Sequence, residues 1–288
     1  MKILIAGSHG MLGADLVKTM QPGNEIQGVD LAEVDITRLE QCLAVAEKYR
    51  PDVIINAAAF TRVDDCETNP DIAFLVNGDG AGNLARSAAV SGASLVHFST
   101  DYVFDGLKRD AYLEEDKPNP QSVYGKSKLA GEDQVCRYCP NHLILRTSWL
   151  FGLNGGNFIR TILNAARQGK ALRVVNDQKG SPTYSRDLAV HTRSLIEAAC
   201  RGVYHLTNSG SCTWFELAAR AVDWAGIPGA SVVPVSTSEF QRPAPRPANS
   251  VLANSRLQRE GFPLMRSWQE AAREYVEEIL TGDPEFRT

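Results

Sequence analysis

The sequence lacks an apolar run long enough to cross a bilayer, which takes about 20 residues. Its opening strand-like stretch "KILIA" ends at a glycine with no cleavage-site pattern behind it. Neither a membrane span nor a secretory signal peptide is expected. It also lacks a basic excess: 30 Lys and Arg against 34 Asp and Glu leave a formal charge of -4, so nucleic acid and anionic membrane are not expected as partners. A small anionic ligand stays compatible, because backbone dipoles and a few arginines suffice to bind one. Cysteine is sparse, and the six at 42, 66, 136, 139, 200 and 212 show no disulfide framework. Cys136 and Cys139 form one Cys-x-x-Cys at the end of a helical segment rather than its start, without a second pair, so neither zinc nor redox use is expected. None of the five histidines stands in a metal-ligand pattern. No metal is expected, and reduced thiols point to a cytoplasmic protein.

What is present is alternation. Short apolar runs, "KILIA", "EIQGV", "DVIIN", "SLVHFS" and "HLILRT", are separated by amphipathic segments such as "MLGADLVKTM", "RLEQCLAVAEKY" and the long "DIAFLVNGDGAGNLARSAAVSG". Near-continuous apolar strands between helices imply a parallel sheet covered on both faces, an α/β doubly wound fold of Rossmann type. Residues 1–150 read as a dinucleotide-binding domain and 151–288 mainly as a smaller substrate-binding domain, with segments near 155–170 and 185–207 returning to the first. "QRPAPRPANS" must be irregular, since its prolines supply no amide donors.

Directly after the first strand comes "GSHGMLG", with Gly7, Gly10 and Gly13 framing Met11 and Leu12 at a helix start. Such glycines permit a tight turn and close approach of backbone to a diphosphate. His9 lies inside this loop. The second strand ends at Asp30, where a carboxylate accepts hydrogen bonds from adenosine ribose hydroxyls and favours NADH over NADPH; Asp35 and Ile36 in "VDI" are adenine-side candidates. Ala57, Ala58 and Ala59 would let a cofactor pass close to the third strand's end.

Two further stretches carry chemistry. "FSTDYVFDG" brings Thr100, Asp101 and Tyr102 out at the carboxyl edge of the sheet, where open α/β folds bind ligands. "SVYGKSKLAG" then sets Tyr124 and Lys128 four residues apart, on one face of a helix. Taken alone, that pair is the ordinary furniture of a solvated helix. Tyrosine's pKa of about 10 makes it a poor proton shuttle at neutral pH unless a nearby ammonium and the cationic nicotinamide ring stabilise its phenolate. With the Thr100 hydroxyl added, the trio fits carbonyl reduction.

These motifs, together with "NAAAFTRVDDCE", "RTSWLFG", "DQKGSPTYSRDLA" and "RPANSVLANSRL", resemble the dTDP-4-dehydrorhamnose reductases of the extended short-chain dehydrogenase/reductase superfamily over nearly the whole chain. The resemblance implies reduction, with NADH or NADPH, of the carbon-4 ketone of a dTDP-sugar. Tyr124 would give the proton, Lys128 lower its pKa and hold the nicotinamide ribose, and Thr100 stabilise the oxygen. Tyr102 would touch the cofactor, and Asp101, Trp149, Asn157, Arg246 and Asn249 the substrate, with Arg242 a rival to Arg246 for the diphosphate. Related dehydratases follow the threonine with aspartate and then glutamate; here Tyr102 replaces the glutamate base, which disfavours elimination. An epimerase, another nucleotide-sugar reductase, or a non-catalytic dinucleotide-binding module like the regulatory subunit of methionine adenosyltransferase are the alternatives. A homodimer is compatible with the resemblance. Some relatives bind magnesium between subunits, but no matching acidic cluster is apparent.

Overall fold

The computed structural model describes residues 1–282. Five strands, β1 (Lys2–Ala6), β2 (Glu25–Val29), β3 (Val53–Asn56), β4 (Ser94–Thr100) and β5 (His142–Thr147), coincide with the five apolar runs. A sixth, β6 (Gly202–His205), joins them at one edge in the order β6-β5-β4-β3-β1-β2, with every pair parallel. The chain reverses direction of winding on either side of β1, so a crevice opens beyond the carboxyl ends of β1 and β3.

Both faces of the sheet are covered because both sets of alternating side chains are apolar. Ile3, Ile5, Ile55 and Leu145 pack with Leu12 and Leu16 of helix α1 (Met11–Met20), and with Leu188 and Leu195 from further along the chain. Leu4, Ile54, Leu95 and Ile144 pack on the other face with Ala46 of α2 (Leu39–Tyr49), Leu84 and Ala85 of α3 (Gly80–Ser91) and Val135 of α4 (Val123–Tyr138).

The long segment before α3 is not one continuous helix. A turn at Pro70–Ala73 passes into a π-helix at Phe74–Asp79 before α3 begins. Two glycines, Gly78 and Gly80, weaken the α-helical preference there, and Asn77 is turned to bond the preceding loop. Its Oδ1 accepts from the Phe60 amide at 2.8 Å while its Nδ2 donates to the Phe60 carbonyl at 3.1 Å.

A second core lies apart from the sheet. It gathers α5 (Phe158–Arg167), α7 (Trp214–Ala225) and α8 (Trp268–Gly282) around Phe151, Tyr184 and Tyr275. Residues 185–207 behave otherwise: α6 (Ser185–Glu197) packs on α1, and β6 completes the sheet. The expectation that 155–170 also returns to the sheet is corrected, since Ile159, Ile162 and Leu163 bury themselves against the α7–α8 layer instead. The last six residues of the 151–288 segment lie outside the described residues. Among the described residues no helix is long and apolar enough to cross a membrane.

Candidate active site

The glycine loop is shaped by close approach. Gly7 adopts φ +79°, and a Cβ there would stand 2.6 Å from the Ala58 nitrogen. A Cβ at Gly13 would fall 1.9 Å from the Gly7 carbonyl oxygen. Only glycine fits at either position, and the result is a cleft of about 310 Å³ lined by Gly7, Gly10, Asp30, Ile36 and Ala57–Ala59. A groove between a glycine turn and small residues at a helix start accommodates a dinucleotide.

The other cofactor-side residues divide. Asp30 accepts from the His9 amide at 3.1 Å and the Leu31 amide at 3.0 Å, so its carboxylate stands at the cleft braced by the glycine loop. Asp35 also lines the cleft, but its carboxylate accepts from both the hydroxyl and the amide of Thr37, which hold its carboxyl below the usual range. Leu12 spends its side chain in the core. Met11 packs where Gly152 leaves room, its Cγ 3.0 Å from the position of a Cβ.

Thr100, Tyr102, Tyr124 and Lys128 converge at the end of β4. Ser122 caps α4 by accepting from the Gly125 amide at 3.1 Å, which starts the helix one residue before Tyr124. The tyrosine rings of 102 and 124 meet edge-on at 5.5 Å. Burial raises the Tyr124 pKa above its usual value, and the hydrogen-bonding influence of the Thr100 hydroxyl is the strongest one opposing it. The phenol is thus kept protonated. Lys128 is 2% exposed and donates to the Phe98 carbonyl at 2.7 Å. Burial pushes its ammonium down to about 8, against the opposing charge of Glu132.

Asp101 is buried beside them, accepting from the Thr100 hydroxyl at 3.0 Å. Its Oδ2 has no aligned partner, and burial, partly offset by the Ser250 and Thr100 hydroxyls, pushes its carboxyl up to about 6. A buried acceptor without a partner is one that a polar hydrogen reaching it would satisfy.

The substrate-side candidates are less convergent. Trp149 takes a left-handed φ of 48° and stacks on Trp214 at 3.6 Å, its indole filling the space above Gly180. Asn157 is an N-cap: its Oδ1 accepts from the Arg160 amide, and both amide hydrogens go to the Gly152 carbonyl and Tyr275 hydroxyl. It keeps no hydrogen for a diphosphate. Asn249 donates to the carbonyls of Lys108 and Asp110 at 2.8 and 3.0 Å, bracing that loop. Arg246 borders a hollow of about 230 Å³ with Tyr102, Gln121 and Ser122, whereas Arg242 lies on the Phe240 ring.

Several functional positions escaped the sequence reading. A Cβ at Gly125 would stand 2.1 Å from the Tyr102 carbonyl oxygen, and one at Gly131 2.3 Å from that of Asn77. The two glycines therefore seat α4 against the β4 end and the π-helix. Asn77 also donates to the Ser127 hydroxyl at 3.0 Å. Beneath the site, Glu132 pairs with Arg146 at 2.6 Å with both side chains 5% exposed, and accepts from Ser99. The signal for the glycine seats was present: two glycines inside a segment otherwise patterned as helix. Among the described residues no cluster of metal-ligating side chains occurs, and the six cysteines are free.

Comparison with known proteins agrees with this geometry. Residues 1–281 match the family described as the RmlD substrate binding domain. The spore coat polysaccharide biosynthesis protein SpsK of Bacillus subtilis is 40% identical over 96% of this chain and 97% of its own. A dTDP-4-dehydrorhamnose reductase structure from Clostridium acetobutylicum superposes with a TM-score of 0.95 at 40% identity, covering 98% of this chain and 100% of its own. Another from Bacillus anthracis, in complex with NADP, gives 0.94 at 40% identity, covering 96% and 99%. The chain therefore belongs to the dTDP-4-dehydrorhamnose reductase family of NAD(P)H-dependent oxidoreductases.

Proposed function

We propose that this protein reduces the carbon-4 ketone of dTDP-4-dehydro-L-rhamnose to give dTDP-L-rhamnose, with Tyr124 as the proton donor. The observation that carries the reading is the meeting of Thr100, Tyr124 and Lys128 at the end of β4, beside a cleft shaped for a dinucleotide. NAD(P)H, when bound, supplies the hydride. Residues 1–150 would hold it, through the Gly7–Gly13 loop, Asp30 and the Ala57–Ala59 edge, while 151–288 supply most of the sugar side.

Tyr124 is protonated at rest because burial disfavours its phenolate. It can thus give its proton to the oxygen as negative charge develops there. Thr100 donates a hydrogen bond to the same oxygen by turning toward it the one hydroxyl hydrogen that Asp101 accepts in the resting site. Lys128, an ammonium below about pH 8, offsets the charge left on the tyrosine. Asp101 would accept from a sugar hydroxyl at its buried, unpartnered Oδ2, and Trp149 would offer an aromatic face. Elimination lacks a glutamate base, since Tyr102 occupies the position after Asp101.

Tyr124→Phe tests the assignment. It should lower kcat by roughly 10²- to 10⁴-fold, the usual worth of a positioned acid, with NAD(P)H affinity unchanged by fluorescence titration. A variant with wild-type turnover would remove tyrosine from the proton transfer.

A further inference from the structure

We propose that Asp64 is a positioning residue for the sugar nucleotide, holding the Arg246 guanidinium at the mouth of the catalytic cleft. The inference rests on the reading of Arg246 as the diphosphate ligand.

Asp64 opens the short helix Val63–Thr68, reached from β3 through the same loop that lines the dinucleotide cleft. Arg246 lies 182 residues further on, and the two form a fork: Nη1 to Oδ1 at 2.5 Å and Nη2 to Oδ2 at 2.9 Å. The same carboxylate accepts from the Ala244 amide at 3.1 Å, and Arg246 Nη1 returns a bond to the Ala244 carbonyl at 2.7 Å. Pro243, Pro245 and Pro247 alternate with these residues and donate nothing. A segment so poor in amides cannot be held by a ladder, so a side chain must hold it.

The donor count shows what remains. Of the guanidinium's five N–H groups, two on Nη1 and one on Nη2 are spent on Asp64 and Ala244. The second Nη2 hydrogen and the Nε hydrogen are left for Tyr102, which acts on Arg246 as a hydrogen-bond partner, and for a ligand. Tyr102 in turn lies edge-on to Tyr124. Asp64 therefore fixes the plane of a cation beside Tyr102, whose ring meets that of Tyr124, while leaving one edge of the fork toward the 230 Å³ hollow. The adjacent Asp65 differs: its partner Arg62 is 74% exposed, and the pair sits on the surface.

The test is calorimetric titration of dTDP into the NADPH-loaded protein, for wild type, Asp64→Asn, Asp64→Glu, Arg246→Gln and the Asp64→Asn/Arg246→Gln double variant. The expectation is dTDP binding weakened about tenfold by either single change, the worth of a charge-assisted fork. The double variant should be no weaker than Arg246→Gln alone, because Asp64 acts only through the arginine. Asp64→Glu should recover part of the loss, and NADPH affinity should stay constant across the set. If Asp64→Asn binds dTDP as tightly as wild type or more tightly while Arg246→Gln weakens it, Asp64 competes with the ligand and the proposal is overturned. Losses that add in the double variant, or a matching loss of NADPH affinity, overturn it as well, the latter by making Asp64 a support of the fold. Unchanged binding in Arg246→Gln removes the diphosphate reading along with it, and a wild-type protein that turns over the keto-sugar would show that the proposed reaction survives that failure.

Discussion

Lys128 is the residue whose protonation has measurable consequences beyond the site. In the folded chain its pKa falls to about 8 through burial, against about 10.4 when unfolded. Between those values the unfolded chain binds the extra proton, so this group makes stability rise with pH from about 8 to about 10. Turnover should move oppositely, declining above about pH 8 as the ammonium one helical turn from Tyr124 is lost. Urea unfolding and kcat across this window, compared with Lys128→Met, check both signs. The variant should lack the stability gain and the alkaline decline, whereas parallel profiles would show that Lys128 keeps its proton throughout. At this scale the sequence was partly legible. Thr100, Tyr124 and Lys128 are gathered about the end of β4, and Gly7, Gly10 and Asp30 line one cleft, because these positions follow from strand ends and helix spacing. Asn157 and Asn249 were read toward ligand, yet their amides satisfy backbone groups in the fold. Nothing in a sequence tells an asparagine that caps a helix from one that meets a ligand.

For the elements, the seat of α4 decides where Tyr124 points. Gly125 and Gly131 bring that helix into contact with the Tyr102 and Asn77 carbonyls, and Lys128 and Glu132 bond Phe98 and Ser99 on β4. Gly131→Ala should therefore push α4 off the π-helix, costing about 1–3 kcal/mol as other overpacked substitutions do and lowering kcat. Thermal unfolding together with steady-state kinetics measures this, and an unchanged kcat would mean that α4 is not held in place by this contact. The strands and most helices were legible because apolar runs and periodicity reveal them. The π-helix was not, because the bonds that Asn77 makes within it reach Phe60, a residue 17 positions away.

Across the whole molecule, buried polar groups tie the layers together beneath the site. Arg146 on β5 and Glu132 on α4 form an ion pair behind Ser99, and Arg146 also reaches the Glu114 carbonyl. Arg146→Met should destabilise the protein by about 3–5 kcal/mol, because Glu132 is then a buried charge without its partner. Urea unfolding reads this loss, and the double change Glu132→Gln/Arg146→Met should restore part of it. No restoration would show that packing around Arg146, rather than charge, is what matters. The second core was the least legible part, its composition being equally suited to covering the sheet or to packing on itself; α5 took the second course. The central claim is that these layers present Thr100, Tyr124 and Lys128 to a keto-sugar beside a reduced nicotinamide. The direct measurement is oxidation of NADH or NADPH, followed by absorbance, with and without dTDP-4-dehydro-L-rhamnose, for the wild type and for Lys128→Met. The account predicts oxidation that requires the sugar and collapses in the variant. Tight dinucleotide binding with no sugar-dependent oxidation would contradict it.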